Sequence, residues 1–127
     1  MQDRPTAEEL IDALIAFMRD RSANARDRWE RFQFQVAANS LAIIGRELRL
    51  EDGFMREEWR RLDGLLGREE PPVERAAFAR RLGERNAELS ERIRRGEFDD
   101  REDELLPHLW QTVVDKVTIA SPKELGA

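Results

Sequence analysis

The chain carries one histidine, His108, and Glu104 stands four residues before it. On a helix that spacing puts a carboxylate and an imidazole on one face, the raw material of an acid–base pair or of half a metal site. A di-metal centre in a helical bundle needs two Glu-x-x-His motifs and further glutamates. One histidine cannot build it, so neither a metal nor a cofactor is expected, and His108 reads as a surface residue near a helix start. Two amides are more informative. Asn39 lies between Val36 and Ile43, and Asn86 between Leu82 and Leu89, at helical positions where apolar side chains belong. A buried amide is costly unless its hydrogen bonds are met. Either the two amides bond each other across helices and fix register, as a buried Asn does in a coiled coil, or they line a small-ligand pocket. Arg46, seven residues after Asn39, returns to the same face two turns on and could hold the phosphate or carboxylate of an acyl carrier. Asn39, Arg46 and Asn86 are therefore the binding candidates. No catalytic residue can be named: the sequence has no glycine-rich phosphate loop, Gly-x-Ser-x-Gly, His-Glu-x-x-His or nucleotide fingerprint.

These residues must be positioned by helices. Thr6 and Glu9 have capping-box spacing, and Leu10, Leu14, Phe17 and Met18, widened by Ile11 and Ile15, give a first apolar stripe that fades after Arg21 into a turn at residues 22–25. A second helix is predicted from about Arg26 to Leu50, with Trp29, Phe32, Val36, Ile43 and Leu50 as its seam. Residues 36–45 pass without a charge. A helix that is apolar or small all round is buried all round, so this is expected to be the central helix, enclosed on every side.

Glu51-Asp52-Gly53 is read as a break. A third helix follows with Met55, Trp59, Leu62 and Leu66 on one face, stopping at Gly67. Pro72 suits the first turn of a fourth helix, which runs to about Arg95 with Phe78, Ala79, Leu82, Leu89 and Ile93 inward and Gly96 as its stop. The last helix starts near Asp103, or nearer Leu106 because of Pro107. Leu106, Leu109, Val113, Val117 and Ala120 form its seam, and Trp110 with Val114 a second one beside it. The tryptophans Trp29, Trp59 and Trp110 read as core anchors. The double seam nonetheless offers more apolar surface than a five-helix monomer covers, so Trp110 and Val114 are also the interface candidates. No strand pattern competes. The expected fold is all-α: one domain over residues 1–127, a compact antiparallel bundle of about five helices with short loops.

Composition narrows the function classes. There are no cysteines, which excludes disulfides and thiolate metal sites. Charged residues make up 39% of the chain, the net charge is −5, and all basic residues but Lys116 and Lys123 are arginine. Acids are interleaved with those arginines, whereas a nucleic-acid binder concentrates positive charge on one face. No nucleic acid is expected. No run long and apolar enough to span a membrane is present, and residues 1–5 lack the apolar stretch of a secretory signal. The expected location is the cytoplasm, with no membrane partner.

Residues 4–10 (RPTAEEL), 36–44 (VAANSLAII), 46–48 (REL), 91–99 (ERIRRGEFD) and 116–122 (KVTIASP) resemble a small all-helical bacterial family of unknown function. The likeness is loose between Gly53 and Arg75. Gln35 stands where such relatives tend to have arginine, and Ser121 where they tend to have asparagine before the proline. These are packing motifs, specific for a family and not for a reaction. The resemblance implies genes that neighbour an aminoglycoside-phosphotransferase-like kinase and an acyl-CoA dehydrogenase. It thus implies an accessory role in acyl-CoA or hydroxy-acid catabolism. Two function classes follow. One is a non-catalytic partner protein that docks on such an enzyme or on itself; the other is a small-ligand binder or unrecognised enzyme acting on an acyl-CoA or phosphorylated metabolite.

Overall fold

The computed structural model describes residues 3–126. Met1, Gln2 and Ala127, at the ends of the expected domain and signal-free N-terminus, lie outside the described residues. The elements are α1 (Ala7–Ala23), α2 (Arg28–Leu66), α3 (Arg75–Arg94) and α4 (Glu102–Ala120), then a 3-10 turn at Pro122–Glu124. No strand occurs among the described residues. The all-α expectation holds, but five helices become four. The second and third predicted helices are one, running unbroken through Glu51, Asp52 and Gly53. A single glycine inside a helix costs only about 1 kcal/mol, and the apolar contacts of Trp59 and Leu62 just downstream outweigh it.

Most ends are where the sequence put them. Thr6 caps α1, its hydroxyl accepting the Glu9 amide at 3.2 Å. Gly67 and Gly96 have positive φ, 103° and 82°, and follow the ends of α2 and α3, as glycine does where a helix leaves through the left-handed region. The start of α3 differs. Pro72 lies outside it, and Glu74 is the cap, its carboxylate accepting the amides of Ala76 (3.0 Å) and Ala77 (2.8 Å). Those two bonds hold the Glu74 carboxyl below its usual range.

The chain divides into two compact units: residues up to Glu51 with Ile119–Ser121, and Asp52–Thr118 with the residues after Ser121. In the first, α1 turns Ile11, Ile15, Met18 and Ser22 inward and leaves Leu10, Leu14 and Phe17 exposed. Small residues on α2 let the helices approach: a Cβ on Gly45 would lie 3.3 Å from the Ile11 side chain. The Ser22 hydroxyl, predicted to lie in a turn, sits in the last turn of α1 and donates to the Arg31 carbonyl at 3.2 Å. Residues 36–45 are not enclosed on all sides. Ala38 and Gly45 are buried, but Val36, Asn39, Ser40, Ile43 and Ile44 are exposed. This unit supplies α2 with one helix and a three-residue segment, which cannot surround it.

The second unit has the larger core. Trp59, Leu62, Leu65, Leu82, Leu89, Phe98 and Leu105 are buried together, with Met55, Leu66, Phe78 and Ile93 packed against them. The Trp59 and Phe78 rings stand 4.9 Å apart. The inward row of α3 is thus the predicted one, except that Ala79 is exposed. It also contains Arg85, 1% exposed. The Arg85 guanidinium lies 4.5 Å from the centre of the Trp59 ring, donates to Asp63 Oδ1 at 3.0 Å and to the Gly67 carbonyl at 2.9 Å. Asp63 also accepts the Glu69 amide, and the Glu69 carbonyl accepts Trp59 Nε1. Outside this knot, Arg81 grips the Glu69 carboxylate with two bonds of 2.6 Å, which keeps that carboxyl below its usual range.

Breaking a buried ion pair from one side leaves the other group and a helix-end carbonyl without partners. Arg85→Ala is expected to cost about 3 kcal/mol in urea unfolding, and Arg81→Ala, which removes a more exposed pair, far less. Equal losses would show that Arg85 is not the anchor.

Candidate functional site

Helix α4 buries a row that is mostly polar. Leu105, His108 and Asp115 are buried and Thr112 is half-buried, positions that share one face. Arg61 of α2 meets this row. Its Nε donates to His108 Nδ1 at 3.0 Å, one Nη donates to the Thr112 hydroxyl at 3.2 Å, and the same nitrogen lies 3.9 Å from Asp115. Gln111 donates to Asp115 at 2.9 Å, and the Thr112 hydroxyl donates to the His108 carbonyl at 3.0 Å. Among the described residues no wholly enclosed polar side-chain atom lacks a partner, which makes such a row tolerable inside a fold.

His108 is therefore not the surface residue the sequence suggested; it is 3% exposed. Burial, and secondarily the Arg61 cation, push it down to about 4. At neutral pH the ring carries no charge. With Nδ1 accepting from Arg61, the proton sits on Nε2. A ring in that state offers a hydrogen-bond donor and no free basic nitrogen, and its pKa is far from the value that suits a general base at pH 7. Glu104 lines the same cleft, about 530 Å³, with Arg61, Leu65, Pro107 and Gln111, but its carboxylate is held by Arg101 at 2.6 Å. No carboxylate–imidazole pair forms.

Two of the three binding candidates have hydrogen-bond partners within their own unit. The Asn86 amide nitrogen donates to Glu58 at 3.0 Å and to the Leu82 carbonyl at 3.2 Å. Arg46 Nε donates to the Ile119 carbonyl at 2.7 Å. Asn39 is exposed and belongs to the first unit, Asn86 to the second. The Asn86 amide is satisfied by partners within its own unit, and Asn39 does not lie in a core. Asn39 borders a cleft of about 410 Å³ with Arg19, Ser22, Arg31, Gln35 and Ala38. No carboxylate lines it, whereas clefts in the second unit include Asp52 and Glu70, or Asp63, Glu69 and Glu70, or Glu104.

The interface candidates fare differently. Trp110 is 67% exposed, and Leu106, Leu109 and Val113 are exposed with it, while Val114 is half-buried. Much of the predicted inward seam of α4 thus faces out, because the polar row opposite is what Arg61 needs. Sequence reasoning missed Arg61, Arg85 and Asp115. The available signal was the row His108, Thr112, Asp115, three hydrogen-bonding residues at helical spacing, and Arg85 midway between Leu82 and Leu89.

Because the folded pKa of His108 lies below its unfolded value, the unfolded chain takes up the proton first, and stability falls as pH drops from about 6.5 toward 4. Between pH 6.5 and 5, above the range where the carboxylates protonate, the loss is expected to be about 1.5 kcal/mol. His108→Gln should flatten that part of a denaturant-derived stability profile. A wild-type profile already flat there would contradict the burial of a neutral ring.

Among the described residues no group of three or more histidine, aspartate or glutamate side chains is placed to hold a metal ion, and no helix is long and apolar enough to cross a membrane. No curated protein and no solved structure matches the chain. A family model described as a domain of unknown function (DUF6285) matches residues 24–124. That span holds α2, α3 and α4 whole, with the Arg61 and Arg85 clusters, and leaves α1 outside. Covering most of the sequence, it shows that the chain belongs to this DUF6285 family of unknown function.

Proposed function

We propose that the chain is a non-catalytic interaction protein that docks on another protein through the outward row of α4, and that it serves acyl-CoA or hydroxy-acid catabolic enzymes in the cytoplasm. The observation that carries this reading is the way α4 is turned. It buries His108, Thr112 and Asp115 and leaves Leu106, Leu109, Trp110 and Val113 in water. A helix of a free-standing monomer does the reverse. An exposed aromatic among aliphatic neighbours, backed by a row that cannot move without unpairing Arg61, is the make-up of a docking anchor. The His108 ring, whose basic nitrogen is occupied, argues against acid–base work at the neighbouring cleft. Acyl-CoA dehydrogenases and aminoglycoside-kinase-type phosphotransferases, the enzymes implied by the family resemblance, are the first partners to try. Co-purification with one of them is expected to yield a complex that Trp110→Ala weakens about tenfold or more while leaving helicity intact. Trp110→Ala leaving every assembly of the chain unchanged would remove the role given to α4.

A second reading rests on the carboxylate-free cleft beside Asn39. Arg19 and Arg31 at its rim, with the Gln35 and Asn39 amides, suit a phosphate or carboxylate, as a phosphorylated or CoA-linked metabolite would offer. A ligand that binds the folded state raises the melting temperature by mass action. CoA esters and nucleotides at millimolar concentration are expected to do so, with the shift lost in Arg31→Ala; no shift with any of them ends this reading.

A further inference from the structure

We propose that the face of α2 carrying Trp29, Phe32, Val36 and Ile43 is where two copies of this chain pair. The inference shares with the reading above only the premise that bare apolar faces are covered in the working protein; it concerns another face and names its occupant. The four side chains are 66%, 55%, 46% and 36% exposed. Their spacing alternates three and four residues, with Asn39 filling the one gap, so they form a single row of the kind that lines helix pairs. The Trp29 and Phe32 rings stack 5.9 Å apart at one end. α1 does not compete for the row: it meets α2 where Ala38 and Gly45 are buried, roughly opposite on the helix.

Charge selects the occupant. From Phe32 to Gly45 the sequence has no charged residue, in a chain whose residues are 39% charged and whose net charge is −5. A face built for a partner of opposite charge would carry charge to complement. Two copies of an acidic chain repel over most approaches, and a neutral stretch is where they can meet without setting like charges together. A twofold interface needs one self-complementary patch, used by both copies, and an uncharged apolar row satisfies that.

Pairing also gives Asn39 a use. An amide in the middle of a paired apolar row fixes register and the number of chains at some cost in stability.

The test is the mass of the full chain by light scattering at micromolar concentration. The expected value is about 30 kDa, twice that of one chain. Two variants, Val36→Glu with Ile43→Glu and Trp29→Ser with Phe32→Ser, alter exposed side chains at different parts of the row. Each is expected to weaken pairing about 100-fold or more with helicity retained, while Trp110→Ala leaves the dimer intact. A single-chain mass for the wild type, or a dimer that persists in both folded variants, overturns the proposal. A monomer that still forms a Trp110-dependent complex with an enzyme would sink self-pairing and leave the docking reading standing. A dimer broken only through α2, with Trp110→Ala silent everywhere, would do the opposite.

Discussion

Much of the second unit hangs on one buried guanidinium. Arg85 sits over the Trp59 ring, takes the Asp63 carboxylate, and satisfies the Gly67 carbonyl at the end of α2. Its planar fork suits that combination of a ring face, an anion and a carbonyl; a lysine could reach one of them but not all three at once. The reversal after α2 follows from this. Gly67 takes a positive φ, Glu69 folds back so that its amide meets Asp63 and its carbonyl meets Trp59, and Arg81 fixes the Glu69 side chain from outside. α3 is thereby held in register against α2 by polar bonds, and the leucines between them fill the space.

What the sequence made legible were local decisions. The Thr6 cap, the exits at Gly67 and Gly96, the inward row of α3 and the face of Met55, Trp59 and Leu62 all depend on short-range chemistry. The break read at residues 51–53 failed because propensity is a small term beside tertiary packing. The faces of α4 and of the first half of α2 failed for another reason. Periodicity identifies which row is apolar, but it does not say whether that row is buried. Trp29, Phe32, Val36 and Ile43 were correctly grouped and wrongly placed. The buried polar residues were hidden in turn by the ordinary rule that charges face water, which Arg85 breaks by pairing with Asp63, and Asp115 by accepting from Gln111 beside Arg61.

Of the candidate site, the sequence held the residue types and not their company. His108 is buried, and its state is set first by that burial and second by Arg61, distant in sequence. Asn86 and Arg46 both have specific partners, but each partner is local to its own unit. An amide or a guanidinium in mid-seam therefore marks a structural bond at least as readily as a ligand contact. Asn39 alone keeps an exposed amide beside a carboxylate-free cleft.

The preference for arginine over lysine has a chemical corollary. Every ion pair described uses a guanidinium as its cation, and the sequence holds only two lysines, Lys116 and Lys123. Guanidinium stays protonated at any pH a cell reaches, whereas the amine of lysine is the group that acyl donors modify. Reactive thioesters, which acetylate or succinylate protein amines without help from an enzyme, would find almost nothing here to neutralise. The electrostatic framework of this domain is consequently inert to a kind of chemical wear that erodes lysine-rich surfaces.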